Sequence, residues 1–186
     1  ETRKKLIDRV LEDVLGWNQD DISYEERVSE DRRTTFADYI IRTADVSLLV
    51  EAKRIGKTFQ TVPDKRKVKI SGTLMQGETG EAIKQAREYC RKKSIPFAVV
   101  TNGNQWIVFP AVRTDAISFS DSSAIIFDSL ERVLGEEIEE FKSLLSREGV
   151  IEGNLSIQLT GRNTDQFEER RLNRFFKGWS VKKDNP

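Results

Sequence analysis

The sequence predicts an α/β protein in which helices flank a central mixed β-sheet. Three observations lead to this prediction: an amphipathic N-terminal segment, strand-like segments on both sides of a second helical segment, and a nearly continuous apolar run at 46–53. A strand that is buried on both faces is apolar throughout, because neither face meets water. The order of helix, three strands, helix, two strands and further helices therefore predicts an α/β sandwich around that sheet.

The first 53 residues are expected to form one helix and three strands. Apolar side chains recur at helical spacing over 2–15, and Gly16 is a suitable stop for this helix. Three later segments are rich in β-branched and aromatic residues, which predicts strands at 22–29, 36–42 and 46–53. The last of these strands should occupy the sheet centre.

A long polar connection separates the third strand from a second helix. Residues 54–80 contain four glycines and the charged run "DKRKVK", and connections of this length are usually functional or disordered. A helix is expected over 81–93. Two strands, 96–103 and 105–112, should then meet at an Asn-Gly-Asn turn, and a further strand pair is expected near 116–127.

The C-terminal part of the chain is predicted to be helical. Residues 129–147 have helical periodicity with a break at Gly135, and 167–179 fit an amphipathic helix. We therefore predict a core domain over 1–128 and a helical extension or linker over 129–186. The extension would lead toward a further C-terminal module, and the first residue, Glu1, suggests that the natural N-terminus lies upstream.

Composition excludes several kinds of active site. The chain has no histidine and one cysteine, Cys90, so serine–histidine triads, histidine-based nucleases, His-ligated zinc and structural zinc sites are ruled out. A bound metal would need oxygen ligands, which favours Mg²⁺, Mn²⁺ or Ca²⁺. Lysine plus arginine and aspartate plus glutamate are 31 each, so nucleic-acid binding would depend on local basic clusters. A single cysteine and no apolar leader or membrane-length run predict a cytoplasmic protein with no membrane partner.

Two charged residues end the apolar third strand and form the candidate site. Glu51 and Lys53 are two apart, so both point to one face of the sheet. Asp38 lies on the preceding strand and would sit beside Glu51 if the two strands pair. Neighbouring carboxylates repel unless a cation lies between them, and oxygen ligands suit Mg²⁺. The alternative is an ordinary ion pair at the end of a strand.

The second helix adds an amide and a phenol. Gln85 and Tyr89 are four residues apart and share one helix face. From there they could contact backbone phosphates or hold Lys53 in place. The alternative is a surface glutamine beside a half-buried tyrosine.

Together these motifs resemble the PD-(D/E)XK nuclease superfamily. The order is Asp38, the Glu51-Ala52-Lys53 triplet and the Gln85-x-x-x-Tyr89 pair. The closest likeness is to the N-terminal nuclease domain of type I restriction enzyme motor subunits and related restriction-like endonucleases. Those proteins share an opening like "TRKKLIDRVLEDVLGW" and a strand-turn like "VVTNGxxW". The resemblance covers residues 1–112 and implies a restriction-endonuclease-like sandwich.

The resemblance implies a role for each matching residue. Asp38 and Glu51 would be metal ligands, with the Ala52 carbonyl as a third oxygen, and Mg²⁺ would be the metal, with Mn²⁺ able to substitute. Lys53 would be the catalytic lysine, and Gln85 and Tyr89 the accessory motif. Two departures are the alanine at position 37, where the superfamily has its proline, and an acidic residue of the first helix that stays unassigned. Its candidates are Glu1, Asp8, Glu12 and Glu25.

Local basic clusters are the candidates for nucleic-acid contact. The favoured cluster follows the Glu51–Lys53 strand and comprises Lys57, Lys65, Arg66, Lys67 and Lys69. Two others are Arg91, Lys92 and Lys93, and the tail residues Arg170, Arg171, Arg174 and Lys177. The "GKT" at 56–58 is not a nucleotide-binding loop, because Glu51 stands where that motif needs its first glycine.

The predicted function is therefore metal-dependent hydrolysis of phosphodiester bonds in DNA, within a restriction or anti-phage defence protein. The alternative is a catalytically inactive nuclease-fold module that binds nucleic acid or a protein partner. By resemblance, an ATPase or helicase module in the same chain or complex is the expected partner.

Overall fold

A computed structural model describes residues 2–30, 33–54 and 56–161, which fold around one mixed sheet of seven strands. The strands are β1 (Ile22–Glu30), β2 (Arg33–Arg42), β3 (Ser47–Ala52), β4 (Lys67–Lys69), β5 (Phe97–Thr101), β6 (Trp106–Pro110) and β7 (Ser123–Phe127). The helices are α1 (Thr2–Arg9), α2 (Gly77–Lys93), α3 (Leu130–Leu134), α4 (Ile138–Leu145), α5 (Arg147–Ile151) and α6 (Asn154–Thr160). The architecture is α/β, as the sequence predicts.

The third strand is interior to the sheet, as its apolar pattern predicts. The strand order is β1-β2-β3-β5-β6-β7-β4. β3 runs antiparallel to β2 and parallel to β5, and the remaining neighbours pair antiparallel. Five of the six β3 residues are buried. Because β3 and β5 are parallel, the chain must cross over between them, and α2 lies in that crossover.

Two apolar layers cover the two faces of the sheet. One layer contains α2 side chains such as Ile83 and Ala86 together with Leu49 of β3. The other layer lies on the opposite face of the sheet. It contains side chains of α1, of the turn of π-helix at Val10–Val14, and of α4, α5 and α6. Phe141 of α4 lies in this second layer, with its ring 5.4 Å from that of Trp106 on β6.

The boundary predicted at residue 128 does not separate two packing units in the described part of the chain. Val133, Phe141 and Leu155 lie beyond that boundary and belong to the same buried cluster as Ile7 and Trp106. Trp17 also donates a hydrogen bond to the Leu145 carbonyl at 3.0 Å. The helices after 128 therefore complete the core as far as they are described, and do not form a separate extension.

Several predicted elements differ from the structure in detail. The predicted pair of strands near 116–127 is one strand, β7, because its second partner is β4 from the long polar connection. The second helix starts at Gly77, four residues before its predicted start. The helix predicted over 129–147 breaks at Gly135, as expected, into α3 and α4. The predicted helix at 167–179 lies outside the described residues.

Arg66 connects the long polar connection to the C-terminal helices. It forms ion pairs with Glu137 at 2.6 Å and Glu140 at 3.2 Å, and its guanidinium carbon lies 4.4 Å from the centre of the Phe127 ring. Glu137 is buried, and Arg132 pairs with the same carboxylate at 2.8 Å. The role of Arg66 in this geometry is structural.

Replacing Arg66 should destabilise the fold. Arg66→Ala leaves the buried Glu137 carboxylate with one arginine partner, and we expect the free energy of unfolding to fall by about 1–3 kcal/mol. Its neighbour Lys65 has an exposed side chain, so Lys65→Ala should change stability by less than about 0.5 kcal/mol. Urea denaturation measures both. Equal effects of the two variants would show that the Arg66 ion pairs contribute nothing.

Of the helices in the described residues, none is long and apolar enough to cross a membrane.

Candidate active site

Strand pairing brings Asp38 and Glu51 side by side. Tyr39 pairs with Val50 and Ile40 with Leu49, so the next residues outward on the two strands are Asp38 and Glu51. Asp38 Oδ2 accepts a hydrogen bond from the Ala52 N–H at 2.9 Å. Glu51 is only 3% exposed, although it is charged. The strand register thus brings together the two carboxylates that the sequence predicts as a pair.

Lys53 links Glu51 to a hydrogen-bonded chain that leads into α2. Its Nζ donates to Glu51 Oε1 at 2.9 Å and to Gln85 Oε1 at 2.6 Å. Gln85 Nε2 in turn donates to the Tyr89 hydroxyl at 2.9 Å. Of the two alternatives for Gln85 and Tyr89, this geometry favours holding the lysine in place. Tyr89 is 6% exposed, which leaves it little access to a large substrate.

The two carboxylates, Lys53 and Gln85 open onto a pocket of about 510 Å³. Its lining includes Asp38, Glu51, Ala52, Lys53 and Gln85, and adds Phe36, Arg54, Lys57, Glu78, Glu81 and Ala82. Phe36, Arg54, Glu78 and Glu81 belong to no motif in the sequence. Glu78 and Glu81 follow a 3₁₀ turn at Gly72–Met75, and no motif spacing marks them. Lys57 reaches the pocket and forms an ion pair with Glu78.

A buried pair of amides fixes the loop that carries Lys57. Asn102 Nδ2 donates to the Lys57 carbonyl at 2.7 Å. Gln105 Oε1 accepts from the Phe59 N–H at 2.7 Å, and its Nε2 donates to the Phe59 carbonyl at 3.2 Å. Asn102 and Gln105 are each 6% exposed. The "TNGNQW" turn, which the sequence identifies only as a strand connection, therefore holds one wall of the pocket.

Many members of the nuclease superfamily have an additional acidic residue at the site. None of the described candidates for that residue lines this pocket. Asp8, Glu12 and Glu25 do not line it, and Glu1 lies outside the described residues. Glu12 instead accepts a hydrogen bond from the Tyr24 hydroxyl at 3.4 Å. Glu25 lies across from Asp38 in the β1–β2 register and has a φ of 49°. This conformation is uncommon for a residue other than glycine, and it interrupts the ladder beside the site.

The structure separates the favoured basic cluster. Lys57 lines the pocket, but Lys65, Arg66, Lys67 and Lys69 lie on or beside β4 at the far edge of the sheet, with β5, β6 and β7 between β4 and β3. The run that follows the Glu51–Lys53 strand is therefore carried away from the pocket after Lys57, because the chain crosses the sheet before β4. Within the second cluster, Lys93 pairs with Glu26 at 2.8 Å. The tail cluster lies outside the described residues.

The oxygen donors of the pocket fit Mg²⁺ better than a metal whose ligands must all come from the protein. Among the described residues, no group of three or more His, Cys, Asp or Glu side chains is placed to hold a metal ion. The pocket does provide the carboxylates of Asp38 and Glu51, and Ala52 also lines it. Mg²⁺ commonly uses one or two carboxylates and keeps several waters. The pair therefore fits Mg²⁺ or Mn²⁺, with remaining positions open to water and phosphate oxygens.

Cys90 lies behind the site and is buried. Burial raises the pKa of its thiol far above the ordinary range, and the nearby negative charge of Glu51 raises it further. The thiol therefore stays protonated and is unsuited to act as a nucleophile.

A scan against protein-family models and searches of curated proteins and of solved structures found no match to this chain. The resemblance to the PD-(D/E)XK superfamily therefore remains a prediction that depends on the quoted residues.

Proposed function

We propose that this protein is a metal-dependent nuclease domain of restriction-endonuclease-like fold that hydrolyses phosphodiester bonds in DNA. The observation that carries the proposal is the convergence of Asp38, Glu51 and Lys53 in one pocket, with Lys53 held by Gln85. A role in restriction or anti-phage defence, beside an ATPase or helicase module, follows from the resemblance alone.

The charges of the pocket support a requirement for a divalent cation. Four carboxylates and three basic side chains line it, namely Asp38, Glu51, Glu78, Glu81, Lys53, Arg54 and Lys57. A phosphodiester would meet net negative charge there unless a cation were also bound. Asp38 and Glu51 would hold Mg²⁺. When bound, Mg²⁺ would supply Lewis-acid stabilisation of the phosphate and lower the pKa of a bound water.

Side chains of the protein would orient the attacking water and the phosphate. Lys53 is pinned between Glu51 and Gln85, so its ammonium points into the pocket wall at a fixed position. From there it can hold the attacking water or stabilise the charge that develops on the phosphate oxygens. Tyr89 acts through Gln85, because its hydroxyl contacts the amide. Lys57 and Arg54 line the pocket and would contact neighbouring phosphates of a bound nucleic acid.

Cleavage assays of Lys53 variants test the proposal. With Mg²⁺ or Mn²⁺ the wild type should cut DNA, and EDTA should abolish cutting. Lys53→Ala should slow cleavage by about 10²–10⁴-fold, the usual contribution of a positioned proton-transfer group. The matched control is Lys84→Ala, an exposed lysine on the same helix as Gln85, which should cut at the wild-type rate.

Two results would count against the proposal. One is a folded wild type that cuts neither duplex DNA, single-stranded DNA nor RNA with either metal. The other is a Lys53→Ala variant that cuts as fast as Lys84→Ala. If the wild type is inactive but binds DNA equally with and without metal, the catalytically inactive nucleic-acid-binding module is the better description.

A further inference from the structure

A second pocket, of about 300 Å³, lies at the opposite end of α2 from the candidate active site. Its lining is rich in arginine and comprises Arg87, Arg91, Ala111, Val112, Arg113, Ile117, Ser118 and Phe119. Ala111 and Val112 follow β6, where β6 pairs with the first residue of β5, whereas Ala52 of the active-site pocket pairs with the last residue of β5. The two pockets are therefore separated by the length of a strand.

Among the described residues, Arg87 has no counter-ion in direct contact. Its guanidinium carbon lies 4.0 Å from the centre of the Phe119 ring, so the cation stacks on an aromatic face. Its Nε is buried without a hydrogen-bond partner, and Arg87 forms no ion pair with another described residue. Burying part of a charged group without a partner costs free energy. An anion bound beside the guanidinium would offset that cost through the attraction of opposite charges.

Arg91 adds a second positive charge one helical turn later. Its pairing with Glu88 is 3.6 Å long and lies at an exposed rim, with the Arg91 side chain 63% exposed. The pKa of Arg87 is lowered first by burial and then by the positive charge of Arg91, while Glu88 opposes the shift. The two arginines therefore repel each other across the pocket, and a shared anion would turn that repulsion into attraction.

The other side of the pocket is already organised. Asp115 accepts from Arg113 Nε at 2.7 Å, and its other oxygen accepts from Nη2, so the charge of Arg113 is largely neutralised. Ser118 caps the 3₁₀ turn at Phe119–Asp121 by accepting from the Asp121 N–H at 3.2 Å. These contacts fix the loop that carries Phe119. The positive charge available to a ligand thus comes from Arg87 and Arg91.

We propose that this pocket binds a phosphate group through Arg87 and Arg91. Guanidinium groups bind phosphate oxygens through paired N–H donors, and those bonds are strong where the donors are partly desolvated. Arg87 provides a partly buried guanidinium that stacks on Phe119, and Arg91 provides an exposed donor at the rim. The proposal is independent of the proposed nuclease activity, because none of its residues lines the active-site pocket.

NMR titration with inorganic phosphate tests the proposal without any cleavage reaction. The Nε–H signal of Arg87 should shift saturably with phosphate in EDTA buffer, but not with sodium chloride at the same ionic strength. Backbone amide shifts of 111–119 should saturate with the same midpoint. Arg87→Gln and Arg91→Gln should each raise the phosphate concentration at that midpoint at least tenfold. Arg91→Gln is the safer variant for folding, because Arg91 is exposed. Arg9→Gln, on the opposite face of the sheet, is the control and should bind as the wild type does.

A second titration distinguishes the source of the phosphate. If the natural ligand is a nucleic-acid backbone, Arg91→Gln should weaken DNA binding in EDTA. The slope of log K against log salt concentration should also become shallower by about one. If the natural ligand is a free phosphate compound, phosphate binding falls and DNA binding is unchanged. The proposal is overturned if phosphate causes no saturable shift, or if Arg87→Gln and Arg91→Gln bind phosphate like Arg9→Gln.

Discussion

Mn²⁺ should raise the thermal stability of the wild-type protein, and neither Asp38→Asn nor Glu51→Gln should show that stabilisation. A metal that binds only the folded state adds about 2.7 kcal/mol when its free concentration is one hundred times Kd. Both substitutions remove a charged oxygen donor and keep the shape of the side chain. Asn at position 38 can still accept the Ala52 N–H, which Asp38 accepts now at 2.9 Å. Calorimetric unfolding with and without Mn²⁺ measures the effect.

The control for this prediction is Glu139→Gln, which removes an exposed carboxylate from α4. It should keep the full response to Mn²⁺, because α4 packs on the other face of the sheet. Loss of cleavage in Asp38→Asn and Glu51→Gln with the Mn²⁺ response intact would place the metal elsewhere. An equal response in all four proteins would contradict the assignment of Asp38 and Glu51 as metal ligands.

A chain that ends at residue 128 should not fold cooperatively. The truncation removes apolar side chains that complete one face of the sheet, including Val133, Phe141, Leu144, Leu145, Val150, Leu155 and Leu159. Loss of a single large side chain of this kind costs about 2–5 kcal/mol. The summed loss over several such residues exceeds the free energy of unfolding of a whole domain, which is about 5–15 kcal/mol. Far-UV circular dichroism and urea denaturation measure the outcome.

The matched control is the chain that ends at Gly161, the last described residue. It should unfold cooperatively, because the described core is closed by α6. The milder variant Phe141→Ala should fold and lose about 3–5 kcal/mol, since Phe141 is fully buried and its ring packs edge-to-face against Trp106 and Phe127. If the 128-residue chain folds as stably as the 161-residue chain, the core domain predicted over 1–128 is correct.

Local patterns predict most of the secondary structure. The apolar run of β3, the helical spacing of α1 and the glycine break between α3 and α4 are all short-range signals, and the structure confirms each one. β4 was missed because three residues, two of them exposed lysines, have no apolar period. Its pairing with β7 depends on a partner more than fifty residues away along the chain, and sequence spacing has no information about such a partner.

The position of charged residues was predicted less well. Arg66 and Lys65 are adjacent in a basic run, yet one is paired with a buried glutamate and the other is exposed. Arg87 is an ordinary helix arginine by sequence, and only its packing on Phe119 shows that its Nε is desolvated. Burial and counter-ions are set by residues from other elements, so a charge run alone does not identify a binding surface.

The sequence by itself determined the α/β class, the exclusion of histidine-based catalysis and of His-ligated zinc, and the placement of Glu51 and Lys53 on one face of the sheet. Composition and the two-residue strand period are local properties, so they can be read without the fold. Only the tertiary structure decided that Asp38 lies beside Glu51, that Gln85 holds Lys53, and that the 65–69 run lies at the far edge of the sheet. These are contacts between segments distant along the chain. They depend on strand register and on the crossover through α2, which no single segment encodes.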